Sequence, residues 1–396
     1  MPKPRRAVDC PSPRVAVLVE ASNAYGRGLL DGIQRHLRER TPWTIFLPEH
    51  GRGLPPLDAL ARWQGDGIIA RIETKEIAAV LSRLRRRLPL AIVDVSAARL
   101  LADVPYVETD DVAIARLAAD HFIERDFRHL AYLGDDRFRW SGNRRDAFVA
   151  AAAGQGRTVA VYAPPGRGAS RGPEEERIQS WLASLPKPVG VFACYDIRGR
   201  QALEACRRGG LSVPDHVAVL GVDDDAVLCG LASPPLSSVI PDAVGAGRLA
   251  AELLERLLRG ERLERHAWLR PPIGIAMRQS TDVLAIEDPV VVAAIRHIRE
   301  HACAGIKVAD VLAALGTGRR GLESRFVRRV GHTPHEEIVR VQFRRVEQLL
   351  TETDLPLAEI AARSGFRHPE YMTVAFTRRH GVSPSRWRRD RRGRPT

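Results

Sequence analysis

Cysteine is scarce. Five thiols in 396 residues, at Cys10, Cys194, Cys206, Cys229 and Cys303 with no CxxC pair, exclude a disulfide framework and a zinc ribbon. Their scatter fits a reducing cytoplasm. No long hydrophobic run opens the chain, because the run after the basic start, Val15 to Val19, is too short for a membrane span or the core of a signal peptide. The chain therefore reads as soluble, cytoplasmic and not exported. Neither an HExxH helix nor a P-loop is present. His297 and His301 are spaced i, i+4 near Cys303 but lack a matching acidic ligand, so neither a metal nor a cofactor is expected. Catalysis has no positive support, and no catalytic residue is assigned.

What is present is a chain of ordinary globular composition, 44% apolar and 28% charged, long enough for two or three domains. The net charge of +13 makes polyanions better partners than basic ligands. It is unevenly spread: residues 287–396 hold 21 Arg and Lys against 13 Asp and Glu, and the preceding 286 residues hold 40 against 35. A basic tail domain, attached to a nearly neutral one, suits nucleic acid; a merely solvated face is the bland alternative.

From Val15 to Val283, short apolar runs alternate with helical periodicity, the pattern of a parallel sheet covered on both faces. Strands are expected at Val15, Trp43, Asp66, Leu90, His129, Thr158, Val189 and His216, with crossover helices such as those starting at Tyr25 and Val112. This stretch is too long for one core, which predicts two α/β lobes dividing near Val107 to Asp111. Ligands of such sheets sit beyond the carboxyl ends of the strands, so a cleft binder is expected. The pattern changes at Pro271 and Pro272 and becomes helical. The expected division is an N-terminal tail (1–13), the effector domain (14–272), a linker (273–288), a helical domain (289–390) and a basic tail (391–396).

Within the helical domain, two segments share a helix, turn, helix grammar, at 307–328 and 357–380. In the first, Leu322, Phe326 and Val330 fall on one face and leave Arg320, Ser324 and Arg328 on the other, where they could enter a major groove. In the second, Pro369 suits a first helical turn, Met372 and Phe376 point inward, and Glu370, Thr373 and Thr377 point outward. A literal GxGxxG at Gly316, Gly318 and Gly321 follows a helix, not a strand, so it is no dinucleotide site.

Through GIKVADVL, LESRF, RVEQLLTETDLPLAEIAARSGF and AFTRRHGVSPSRWR, the stretch from Pro289 to Arg389 resembles the DNA-binding domain of AraC-type transcription regulators. That resemblance implies seven helices with recognition residues early in the third and sixth. The matching positions are Arg319, Arg320, Glu323 and Ser324, then His368, Glu370, Thr373 and Val374, where Val374 departs from the commoner polar side chain. The front of the chain resembles the sugar-binding domain of LacI/GalR-type regulators and periplasmic sugar-binding proteins. The joining of the two resembles XylR-type regulators over nearly the whole chain, including the segment from His301 to Val308. This implies an aldopentose effector such as xylose, a homodimer, operator DNA, and transcription activation with RNA polymerase as a partner.

A free sugar requires several directional hydrogen bonds. Candidate groups at strand ends are Ser22, Asn23, Tyr25, Arg71, Asp110, Arg144, Asp196 and Asp223. In the resembling families, Asp110, Arg144, Asp196 and Asp223 match sugar-binding positions. For Asp224 and Asp225 a helix cap is the preferred role. Arg71 leaves two choices open, pairing with a pocket carboxylate or favouring a sugar acid. The competing functions are a regulator with a non-sugar effector and, further off, a nucleotide-dependent α/β enzyme with a basic appendage.

Overall fold

The structure is a computed structural model that describes residues 12–40, 42–48, 57–163, 173–282 and 288–392. The chain forms two compact units, Met1–Val283 and Leu284–Thr396. The first opens with β1 (Arg14–Leu18), α1 (Ala24–Glu39), β2 (Thr44–Phe46), α2 (Leu57–Arg62), β3 (Gly67–Ala70), α3 (Lys75–Arg87), β4 (Ala91–Asp94) and β5 (Tyr106–Thr109). Next come α4 (Asp111–Ile123), β6 (His129–Leu133), α5 (Arg139–Ala153), β7 (Val159–Val161), α6 (Glu174–Ser184), β8 (Val189–Ala193) and α7 (Asp196–Arg208). The unit closes with β9 (Val217–Val222), α8 (Ala226–Leu231), β10 (Ser237–Ile240), α9 (Ala243–Leu258), β11 (Ala267–Arg270) and β12 (Gly274–Ala276).

Two six-stranded sheets result, in the orders β11-β5-β4-β3-β1-β2 and β12-β10-β9-β8-β6-β7. All eight expected strands are present. The inner strands are buried on both faces, whereas the edge strands β2 and β7 are partly exposed. Among the described residues, only β12 runs antiparallel to its neighbour.

The chain does not divide once near Val107 to Asp111, as its periodicity suggests. It crosses there, returns after β10 so that α9 and β11 complete the first lobe, and crosses a third time into β12. Helical periodicity marks a buried face but not which sheet buries it. Here Ala246, Ala250, Leu253 and Leu254 of α9 fill the core over β1 and β3. The linker also starts later than expected. Ile275 pairs with Val239, and the Ser280 hydroxyl donates to the Val219 carbonyl, so residues up to Asp282 belong to the second lobe. The rest of the expected linker before Asp288, nearly all of the N-terminal tail, and residues 393–396 of the basic tail lie outside the described residues.

The return of α9 is possible because its interface with α1 is built from small residues. A Cβ at Gly247 would lie 2.0 Å from the Leu29 carbonyl oxygen, and one at Gly32 would lie 2.1 Å from that of Val244. The backbones touch.

In the second unit, α10 (Pro289–His301), α11 (Val308–Leu315) and α12 (Arg319–Val330) form one half. The other is α14 (Leu357–Arg363), α15 (Pro369–His380) and α16 (Pro384–Arg392), and α13 (Pro334–Glu352) joins them. Ile338 of α13 packs in the first core, whereas Phe343, Val346 and Leu350 pack in the second. Between them the buried Gln342 donates to the carbonyls of Ala302 and Gly365 at 3.0 and 3.3 Å, pinning one half to the other.

Substituting Gly247 with Val should open the α1–α9 interface and destabilise the effector unit by about 1–3 kcal/mol, read as a lower melting temperature. An unchanged melting temperature would remove backbone contact as the reason for glycine there.

Candidate ligand cleft and nucleic-acid interface

Parallel strands deliver the loops at their carboxyl ends to the space between the lobes. Tyr25, on α1 after β1, is central to it. Its ring lies 5.3 Å from the Arg71 guanidinium carbon, and the hydroxyl is under the electrostatic influence of Glu108 and Arg71 from the first lobe and Arg144 and Asp223 from the second. The side chain is 7% exposed, yet its hydroxyl has no hydrogen-bond partner among the described residues. The same holds for Nε of Arg71. Burial, then Glu108, pushes the Tyr25 hydroxyl well above its usual range, so it stays protonated.

The two arginines are held differently. Arg71 pairs with Glu73 at 2.5 Å. Burial opposes its charge, but Glu73, Tyr25, Glu108 and Glu20 outweigh burial and keep it protonated. Arg144 is held at two points: Nε donates to Asp111 at 2.8 Å, Nη1 to the Cys194 carbonyl at 2.6 Å, and the guanidinium lies over the Trp140 ring at 4.7 Å. Trp140 also meets Tyr195 edge to face at 5.5 Å, so an aromatic wall borders this side.

Of the acids, Asp196 is buried and accepts from the Ser238 hydroxyl at 2.6 Å and the Asp225 backbone at 2.8 Å. Burial and then Asp223 push its carboxyl upward. Asp223 has φ of 108°, and Asp224 has 48°, both in the region that non-glycine residues avoid. This strained turn after β9 sets the direction of Asp223. Glu108, fully buried on β5, is raised to about 7 by burial first and Asp111 second.

Three other candidates have roles in local structure. Asp110 caps α4 by accepting from Ala113, Asn23 caps α1 by accepting from Gly26, and the exposed Ser22 hydroxyl bonds Glu20. Asp225 caps α8 as expected and also pairs across the lobes with Arg27 at 3.0 Å. Asp224 is not a cap; it pairs with Arg278 at 2.7 Å, because the left-handed turn carries it away from the helix axis.

The second unit displays two exposed helix faces. On α12, Leu322 and Phe326 are buried while Arg320, Ser324 and Arg328 are exposed. Arg319 and Glu323 pair with each other at 2.9 Å, leaving Arg320 as the cation at the start of the helix free to reach outward. Gly316, with φ of 58°, ends α11, and Gly318 precedes α12, so two of the three glycines serve the turn and Gly321 lies in the first turn of α12. On α15, Met372 and Phe376 are buried, His368, Glu370, Thr377 and Val374 are exposed, and the Thr373 hydroxyl bonds the Pro369 carbonyl. This second face is apolar as well as polar: Tyr371 is 66% exposed and Val374 68%.

Comparison with known proteins matches these parts in order. A "XylR N-terminal domain" family matches residues 14–112, a "Periplasmic binding protein-like domain" family residues 119–281, and a "Helix-turn-helix domain" family residues 311–390. The xylose operon regulatory protein of Escherichia coli K12 is 32% identical over 388 residues, 95% of this chain and 96% of that one. This chain belongs to the XylR family of transcription regulators. The Haemophilus influenzae xylose operon regulatory protein is 31% identical over 382 residues, covering 95% and 98%. A solved structure of the xylose-binding transcription activator XylR aligns with a TM-score of 0.77 at 31% identity, over 96% of this chain and 99% of that one. A CelR–cellobiose complex, 22% identical with a TM-score of 0.53 over 67% and 84%, shares the fold.

As a XylR-family member the chain is a DNA-binding transcription regulator with a sugar-binding type of effector domain. Sequence reasoning missed several of its cleft groups. Glu108 lies in a four-residue strand too short to recognise, and Asp111 was hidden behind its neighbour. Trp140 and Glu73 were legible in principle, as an aromatic beside the RxxAF helix and an acid two residues after Arg71.

Two outcomes follow. Glu108 binds its proton more tightly in the folded state than its ordinary value of 4.5 allows, so its contribution to stability is present at low pH and lost as pH rises through about 7. From about pH 6 to about pH 8 the melting temperature of the native chain should fall more steeply than that of Glu108→Gln, and parallel curves would contradict the assignment. Arg320→Ala should cost about 1–3 kcal/mol on operator DNA and relax preference at one base pair. Equal weakening on operator and random duplex would show a phosphate contact instead.

Proposed function

We propose that this regulator is a homodimeric, cytoplasmic activator whose cleft binds a monosaccharide of the aldopentose class, with xylose as the first candidate. It recruits RNA polymerase and catalyses no reaction. The observation that carries the effector reading is the pair of buried, unpartnered polar atoms, Tyr25 Oη and Arg71 Nε, between acids of both lobes. A buried donor or acceptor left unmade costs about 1–3 kcal/mol, so a ligand rich in hydroxyls recovers what the protein alone leaves unbonded. Asp223 supplies an acceptor for a hydroxyl.

Effector binding would bias the lobes toward closure because its contacts come from both. The Arg27–Asp225 pair adds to this, since the same Asp225 backbone N–H fixes Asp196. The chain crosses between lobes three times, and the last crossing leads toward the helix-turn-helix unit, the natural route for the bias to reach the DNA-reading helices. Operator recognition is assigned to Arg319, Arg320, Glu323, Ser324 and Arg328 in the first unit. In the second it is assigned to His368, Glu370, Thr373 and Val374.

A thermal melt of the full chain against a panel of pentoses, hexoses and nucleotides tests the reading. A pentose should raise the melting temperature, and Asp223→Ala should abolish that rise while sugar-free DNA binding persists. A rise with nucleotides alone would overturn the proposal.

A further inference from the structure

Arg71 is a first-lobe cation 5.3 Å from the Tyr25 ring, and a lone guanidinium there would attract a carboxylate. It is not alone. Glu73 sits 2.5 Å away with its side chain 29% exposed, close enough to neutralise the guanidinium while leaving Nε unbonded. In the second lobe Arg144 is likewise paired, its Nε donating to Asp111 and Nη1 to the Cys194 carbonyl. Both cleft arginines are thus matched by an acid, and Glu108 and Asp223 act on Tyr25 as further carboxyl groups.

A neutral polyol meets donors and acceptors in this arrangement. A sugar acid would bring an anion beside Asp223 and beside Glu73, whose carboxylate already balances the Arg71 charge, and like charges placed together in a desolvated site are strongly unfavourable. We propose that Glu73 is a specificity-determining residue, which by holding Arg71 makes the cleft select neutral sugars and reject sugar acids. The inference rests on the sugar-effector reading above and resolves the choice that the Arg71 sequence position leaves open.

Removing the charge of Glu73 while keeping its shape should release Arg71 for an incoming carboxylate. The test is calorimetric titration of the full chain at neutral pH with four probes. These are D-xylose, D-glucose, D-glucuronate, which is the xylopyranose ring carrying a carboxylate at C5, and the open-chain acid D-xylonate. The native chain should bind xylose and neither acid. Glu73→Gln should gain affinity for at least one acid by on the order of tenfold, the worth of one charge-assisted hydrogen bond, with xylose little changed. Glu73→Asp, which keeps the charge, should restore rejection. D-glucose reports whether a C5 substituent fits at all, and xylonate tests the charge without one.

Native binding of an acid as strongly as xylose overturns the inference. So does retention of xylose binding by Glu73→Gln without gain of either acid. Failure of the native chain to bind any neutral sugar would instead overturn the effector reading beneath it.

Discussion

The effector unit turns on a hydroxyl that the protein buries and does not bond. Tyr25 reaches the centre of the cleft with its ring packed in the first lobe's core and its oxygen unpartnered. A side chain so placed is stable only because the surrounding apolar contacts outweigh the unmade bond. Its charged neighbours are held in pairs, Arg71 through one Nη to Glu73 with Nε left unbonded, and Arg144 to Asp111. In the proposed effector reading the cleft is preorganised, with the paired groups setting its shape and the unbonded atoms its chemistry.

The same economy runs through the fold. Crossing between lobes three times ties each sheet to segments far apart in sequence, so α9, late in the chain, packs backbone to backbone on α1 at its beginning. Relative motion of the lobes must then be shared by three strands of chain near Asp110, Asp242 and Pro271. Asp242 caps α9 and pairs with Arg270, which places two of those crossings in one contact. In the DNA-reading unit, α13 lends one end to each half, and Gln342 fixes them at the middle. Two recognition helices can address successive major-groove faces only if their separation is fixed, and in the proposed operator reading this helix would fix it.

Much of this was legible in the residues and some was not, for physical reasons. Runs such as Val15 to Val19 and Val189 to Ala193 announce themselves because strands buried on both faces are apolar throughout. β5, β10, β11 and β12 have three or four residues, and several of those are polar, so no periodicity could emerge. The helix-turn-helix units were clear because their punctuation is chemical: left-handed glycines at Gly316, Gly331 and Gly381, and prolines at the first turns of α10, α13 and α15. Cleft residues were harder to rank. An acid after a strand caps a helix and faces a cleft with equal ease, and only the fold separates Asp110, which caps, from Asp111, which pairs with Arg144.

If occupancy of the cleft and engagement of DNA are two faces of one equilibrium, each must alter the other by the same factor. The decisive measurement is the sugar affinity of the full chain with and without saturating operator DNA, set beside the operator affinity with and without saturating sugar. Two equal factors clearly different from one are the predicted result. A sugar affinity indifferent to operator DNA would contradict the account.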